Sequence, residues 1–166
     1  MKTNRQKRAN NKGFAEIFGT HAVHAALLNP NRKHEKLFLS QNQKEVFTKN
    51  ITNLVPDVNE LHSKEMFKMF GNDSVHQGIV LRTSKLEQPN LEQIIKNSKN
   101  EKSDIVVILD QVSDPSNIGS IMRSASLFNC KSIIVSKDNC PDVTASMAKA
   151  ASGALEVINY IFRFLG

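Results

Sequence analysis

Between Leu109 and Ala125 the chain reads LDQVSDPSNIGSIMRSA, and two of its side chains, Asn117 and Arg123, are of types that could handle a ligand. The amide offers a donor and an acceptor, and the guanidinium is a fixed cation that cannot serve as a base in its charged state. Just before them, Ile105 to Leu109 is an unbroken apolar run, which predicts a strand covered on both faces in a parallel sheet. Asp110, Asp114, Pro115 and Ser116 supply turn chemistry, and Asn117 is the expected N-cap of the helix that follows. In that helix Ile118, Ile121, Met122, Ala125 and Phe128 recur at helical spacing and predict one buried stripe, with Arg123 nearly opposite it. Ser132 to Val135 then completes a β-α-β unit. Asn117 and Arg123 are therefore expected just beyond a buried strand, at the carboxyl edge where open α/β sheets bind ligands. Each also has an ordinary explanation, since Asn is among the best N-caps and an outward helix arginine is commonly just solvated.

The run Asp114, Pro115, Ser116, Asn117, Ile118, Gly119, then Arg123, Ser124, Ala125, resembles the first motif of the SpoU (TrmH-type) RNA ribose 2′-O-methyltransferases. Three further stretches are similar to the rRNA-directed branch of that family, in the family's order: Phe18-Gly19-Thr20-His21-Ala22-Val23, Val75-His76-Gln77-Gly78 and Ser152-Gly153-Ala154-Leu155-Glu156. The resemblance implies an S-adenosylmethionine-dependent enzyme that methylates a ribose hydroxyl of RNA, 23S-type ribosomal RNA in this branch, and works as a homodimer. It makes Asn117 and Arg123 the catalytic candidates. Methyl transfer to a weakly acidic hydroxyl needs a base or a cation that favours the alkoxide, and Arg123 could stabilise that oxygen or hold the adjacent phosphate in a forked contact. Gly119 and Ala125 are expected to allow close packing, and Asp114 to fix the loop. His76 and Gln77 become candidate RNA contacts.

Composition sets wider bounds. The chain has 166 residues, 40% of them apolar, enough for a packed core, and a net charge of +6. Residues 1–13 contribute Lys2, Arg5, Lys7, Arg8 and Lys12 without an acid, so the basic character is concentrated in an N-terminal tail. Such a tail is expected to lack structure of its own and to clamp phosphates, with Arg5, Lys7 and Arg8 as its RNA-binding candidates. No apolar segment follows the basic start and no window reaches membrane-spanning length, so neither a signal peptide nor a membrane partner is expected, and a cytoplasmic location is. Cys130 and Cys140 are too few for a disulfide framework or a zinc set and are expected to be reduced. His21 and His24 lie three apart without a third ligand, which favours helix packing over metal binding. The absence of a G-x-G-x-x-G, a P-loop and an H-E-x-x-H disfavours nucleotide hydrolysis and ordinary dinucleotide binding.

The elements that must position these groups fall into an α/β pattern. After the tail (1–13), a strand at Ala15–Phe18, a helix from Thr20 to Leu28, a strand at Leu37–Leu39, a helix over Lys44–Leu54, an extended stretch to Leu61, a helix capped by Ser63 and a strand from Gly78 to Arg82 predict a small module over 14–84. Its family counterpart is L30e-like and binds RNA. Residues 85–103 read as a linker and a connecting helix, Leu91–Ser98, and 104–166 as the front part of an α/β-knot (SPOUT) catalytic domain with a parallel sheet, including a thin helix from about Val143 to Ala151 that Gly153 stops. The family's two later motifs, a Gly-x-Glu core and a Pro, Gly, Ser-Leu-Asn run, are absent from the sequence. The resemblance therefore predicts a C-terminally truncated member without the cofactor-binding knot, with Tyr160–Leu165 as an exposed apolar edge, a poorly ordered C-terminal half and dimerisation in doubt. Two functions remain: a methyltransferase by descent, or a non-catalytic RNA-binding remnant of one.

Overall fold

In the computed structural model, residues 13–47, 49–70, 76–98, 105–136 and 140–163 are described. Four strands, β1 (Phe14–Phe18), β2 (His34–Leu39), β3 (Val58–Glu60) and β4 (Ile79–Ser84), form one sheet in the order β1-β4-β2-β3. β4 is antiparallel to both neighbours, and β3 pairs parallel with β2. The continuous apolar run Ile79, Val80, Leu81 suits the central position, because all three are buried whichever face they point to. On one face Ile17, Leu37, Leu39, Ile79 and Leu81 join the main core. On the other, Phe38 and Val80 meet Met66 and Phe70 of α4 (Ser63–Phe70). Helix α1 (Thr20–Leu28) lies over the core face and buries Ala22, Val23, Ala26 and Leu27, a stripe at helical spacing.

The expected helix over Lys44–Leu54 is not formed as one element. Two single turns, α2 (Gln41–Lys44) and α3 (Lys49–Thr52), take its place; Phe47 and Val55 are buried, while Val46 and Leu54 are exposed. Thr48, Asn50, Thr52 and Asn53 are weak helix formers, so apolar spacing alone cannot carry a helix through them. At α4 the Glu65 carboxylate accepts from the backbone N–H of His62, which places the cap one residue before Ser63.

The second sheet is parallel, with strands β5 (Val106–Leu109), β6 (Ser132–Ser136) and β7 (Asn159–Arg163) in that order. Val107, Leu109, Ile133, Val135 and Tyr160 turn toward α6 (Pro115–Leu127) and α7 (Ala145–Ala151) in the main core. Ile134 and Ile161 face Leu91 and Ile94 of α5 (Leu91–Ser98) on the other side. That cover stops short of β5, so the expected strand buried on both faces is an edge strand with one face open: Val106 is 40% and Ile108 61% exposed. Phe128 leaves the predicted stripe because it is the C-cap of α6 and stands in solvent. β7 is the outer strand of its sheet, as expected, and within it Tyr160 and Ile161 are buried while Phe162 is 36% exposed; Phe164 and Leu165 lie outside the described residues.

The two sheets share one core, and α7 is the element between them, packed on α6 and against β1 and α1. Its alanines keep it thin, and Gly119 on α6 uses that thinness. A Cβ added at Gly119 would collide with the Met147 carbonyl oxygen and meet the Ala150 Cβ at 2.8 Å and the Ala151 nitrogen at 3.0 Å. Beside this seam Arg32 and Glu156 form a buried two-pronged pair, with Nε to Oε2 at 2.7 Å and Nη2 to Oε1 at 2.8 Å. The third prong of Arg32 donates to the Ser84 carbonyl at 2.6 Å, and Asn29 Nδ2 donates to Glu156 Oε2 at 2.7 Å. Each nitrogen of the guanidinium and each oxygen of the carboxylate thus has a partner, as burial of charge requires.

Gly119→Ala is expected to destabilise the chain by about 1–3 kcal/mol, because the contact is with backbone that cannot rotate away; urea unfolding measures it. Glu156→Ala leaves the Arg32 charge buried without its partner and should cost about 3–5 kcal/mol in the same assay.

Candidate active site

The loop that carries the motif leaves β5 at Leu109, passes through Gln111 at φ 56°, and enters α6 at Asp114. The Asp114 side chain is the N-cap: its Oδ1 accepts from Ser116 N at 2.6 Å and from Asn117 N at 3.3 Å. Asn117, expected to cap the helix, lies inside its first turn, because Pro115 takes the first helical position and shifts the start upstream. The amide of Asn117 is thereby released from backbone duty. The loop is also held from below: the Cys140 thiol, which burial keeps protonated by pushing its pKa up, donates to the Val112 carbonyl at 3.4 Å. Tyr160 OH donates to the Pro141 carbonyl at 3.0 Å and fixes the chain after β6. Both cysteines are free thiols.

On α6, Ile118, Gly119, Met122 and Ala125 are buried, whereas Ser116, Asn117, Ser120, Arg123, Ser124 and Leu127 are exposed. Asn117 and Arg123 bound this exposed arc on opposite flanks, about 9 Å apart along the axis. Between them the serines turn their hydroxyls back on the helix, Ser120 to the Ser116 carbonyl at 2.9 Å and Ser124 to the Ser120 carbonyl at 3.2 Å. The result is a shallow face of small side chains with an amide at one rim and a guanidinium at the other. Such a face can accept a polar, anionic strand lying across it.

His76 and Gln77 are not beside this face. They sit at the start of β4, where the carbonyl of Gln77 accepts from Gln43 Nε2 at 2.8 Å and its Oε1 accepts from Thr20 N at 3.3 Å. His76 is buried against the Phe67 ring, 5.2 Å between centroids. His21 and His24 are both exposed, with His24 tilted over Phe47 at 6.1 Å, and no group of metal-binding residues occurs among the described ones. Arg5, Lys7 and Arg8 lie outside the described residues. Sequence reasoning missed Gln43, Cys140, Lys149 and Tyr160, which act through contacts distant in the chain.

A mixed sheet fused to a parallel α/β sheet, with an amide and a guanidinium on the helix beyond the first parallel strand, defines a two-module α/β protein. Residues 17–89 match the model of the RNA 2′-O ribose methyltransferase substrate-binding domain, and residues 104–164 that of the SpoU rRNA methylase family. The chain belongs to the SpoU rRNA methylase family. It is 28% identical over 158 residues to the 23S rRNA (guanosine-2′-O-)-methyltransferase RlmB of Haemophilus influenzae, covering 88% of this chain and 61% of that protein. The RlmB of Vibrio vulnificus is 32% identical over 152 residues, covering 86% and 59%. Among solved structures, an rRNA methyltransferase from Sinorhizobium meliloti superposes with a TM-score of 0.69 at 20% identity, over 98% of this chain and 59% of that one. The AdoMet complex of the SpoU methyltransferase AviRb from Streptomyces viridochromogenes gives 0.66 at 18% identity, over 99% and 59%. The chain thus spans about three fifths of the length of these relatives.

Two cavities lie where the sheets meet, one of about 160 Å³ lined by Ile17, Arg32, Leu86, Val143, Leu155 and Tyr160, and one of about 790 Å³ lined by Asn29, Lys33, Ser84, Glu87, Leu155 and Asn159; neither is lined by α6. The groups at α6 suit an RNA oxygen or phosphate.

Asp114→Ala should cost about 0.5–2 kcal/mol of stability through loss of the cap. Asn117→Ala and Arg123→Ala, both exposed, should stay within about 0.5 kcal/mol of the parent in the same thermal unfolding series.

Proposed function

We propose that this chain provides the RNA-recognition and hydroxyl-positioning parts of an RNA ribose 2′-O-methyltransferase site, acting on 23S-type ribosomal RNA in the cytoplasm. The observation that carries the reading is the exposed α6 face, where the family's Asn and Arg, Asn117 and Arg123, stand free of structural duty on either side of a serine-lined floor. In this reading Arg123 grips the phosphate next to the target ribose in a forked contact, or favours negative charge on the 2′ oxygen as it attacks. Asn117 orients the ribose through its amide, and Asp114 holds the turn that presents both. Supporting the substrate assignment, the curated relatives named RlmB methylate guanosine of 23S rRNA, and the first module matches the substrate-binding model. The methyl group comes from S-adenosylmethionine in such a reaction; the protein groups named here hold and orient the acceptor.

A second reading follows from the same face and from the first module's match to the substrate-binding model. It is RNA binding without catalysis, by the first module and the basic N-terminal segment.

Calorimetric titration of the purified 166-residue chain with S-adenosylmethionine separates the two. Under the first reading, binding in the micromolar range is expected, and Arg123→Ala abolishes methyl transfer to ribosomal RNA while leaving donor affinity unchanged. No heat of binding, with ribosomal RNA still bound, selects the second.

A further inference from the structure

The larger of the two cavities at the seam, about 790 Å³, falls within the usual size of ligand sites, about 300–1,000 Å³, and stands where such sites concentrate, between modules. Asn159, the first residue of β7, lines it, and the register Val106, Ser132, Asn159 puts that residue at the amino end of the parallel sheet. The loop that leads to Asn117 leaves the carboxyl end, so about one strand length, roughly 16 Å, separates the cavity from the start of α6. Its cationic rim is fixed by backbone. Ser84 N donates to the Lys33 carbonyl at 2.9 Å, Lys33 N to Ser84 Oγ at 2.9 Å, and Lys85 N to the Gly13 carbonyl at 3.0 Å. Lys33 and Lys85 both line the cavity, both are exposed, and no carboxylate pairs with either among the described residues. Two acids share the lining. Glu156 has both oxygens taken up by Arg32 and Asn29, which leaves only Glu87 against two ammoniums. Gly13 is also part of the lining, and residues 1–12, joined to it, add Lys2, Arg5, Lys7, Arg8 and Lys12 without an acid.

The rest of the lining is not ionic. Val157, 68% exposed, and Leu86 offer apolar surface, and Asn31 adds an exposed amide whose own backbone N–H is held by Asn29 Oδ1 at 2.9 Å. Ammoniums at the rim with apolar surface and an amide inside are the elements that hold an unpaired nucleotide: phosphate on the cations, the flat base on the apolar side chains, its edge on the amide. A free phosphate would use the lysines alone and leave the apolar part in water. We propose that this cavity takes one unpaired nucleotide of an RNA strand, with phosphate oxygens at Lys33 and Lys85 and the base against Val157 and Leu86. The site rests on the RNA reading above and extends it to a second contact, apart from Asn117 and Arg123. Asn31 and Lys33 belong to the first module and Val157 to the parallel-sheet module, so one bound nucleotide touches both.

The test measures binding of a fluorescent, short single-stranded oligoribonucleotide of mixed sequence to the full chain over a series of salt concentrations. Lys33→Ala with Lys85→Ala should weaken binding roughly tenfold at low salt and reduce the salt slope by about 1.4, or about 0.7 for each phosphate contact, and Lys33→Arg with Lys85→Arg should keep both values. Lys64→Ala with Lys68→Ala, which takes the same charge from α4, should leave the slope unchanged. All four lysines are exposed, so these variants fold. In the ¹⁵N-labelled chain the Val157 and Asn159 amide resonances should move with the oligoribonucleotide and stay in place with inorganic phosphate. RNA that binds the Lys33 and Lys85 alanine variant as tightly as the parent, or that leaves those two resonances in place, overturns the cavity site while leaving the RNA reading intact. An equal loss on changing Lys64 and Lys68 reduces the effect to overall charge and overturns the site as well. Resonances that move with inorganic phosphate alone overturn the nucleotide assignment. A chain that binds no RNA overturns both readings.

Discussion

The close approach of α6 and α7 at Gly119 is the constraint on which the rest of the structure depends. With backbone atoms of α7 within 3.0 Å of the place where a Cβ would be, the two helices lie closer than side chains normally permit. That closeness lets α7 reach past α6 to β1 and α1, so the parallel sheet and the mixed sheet bury one continuous set of side chains instead of two separate cores. Dispersion falls off over fractions of an ångström, so a helix with bulkier residues in place of Ala148, Ala150 and Ala151 would hold the sheets apart and lose those contacts. The exposed arc of α6 is the other side of the same arrangement. Burying Ile118, Gly119, Met122 and Ala125 leaves Asn117 and Arg123 no orientation except outward.

Electrostatics adds direction to this packing. Apolar contact tolerates small slides and rotations, whereas Arg32 and Glu156 make paired bonds, with Ser84 and Asn29 as further partners. A buried ion pair contributes little net stability compared with an apolar replacement, yet a misaligned one is costly. Its effect is therefore to select one register between the modules. The Glu156 end belongs to the Ser-Gly-Ala-Leu-Glu stretch and the Arg32 end follows α1, so the lock sits where the two modules would otherwise slide.

Elements governed by local pattern were legible in the sequence. Helices α1 and α5 fall on the expected residues, and the strands lie within a few residues of their apolar runs, because periodicity and stop signals such as Asn29-Pro30 are written locally. The errors arose where distant contacts decide. Five apolar residues at Ile105–Leu109 specify a strand but not whether a helix covers both faces, and α5 lies over β6 and β7 instead. The cap fell to Asp114 rather than Asn117 because a proline after an acid fixes the helix start, a rule available in the sequence but outweighed by the propensity of Asn. Family motifs marked Asn117, Arg123, His76 and Gln77; nothing local could mark Gln43 or Lys149, which reach their neighbours across dozens of residues.

The exposure of Arg123 sets a physical condition on any chemistry there. Two unit charges 4 Å apart attract by about 1 kcal/mol in bulk water and about 4 kcal/mol at the effective dielectric of a protein surface. Stabilising an alkoxide is a matter of several kcal/mol, so a guanidinium open to solvent is too weak a partner until water is displaced from it. The described residues leave that side of α6 uncovered, and the serines fold their hydroxyls onto the helix instead of building a wall. The cover has to arrive with the substrate or with a further protein surface. An RNA strand seated across the serine floor would do part of this by itself, since its bases and ribose exclude water from the rims where Asn117 and Arg123 stand. Recognition and activation are then one event: the guanidinium gains strength only when the strand it is meant to act on is in place.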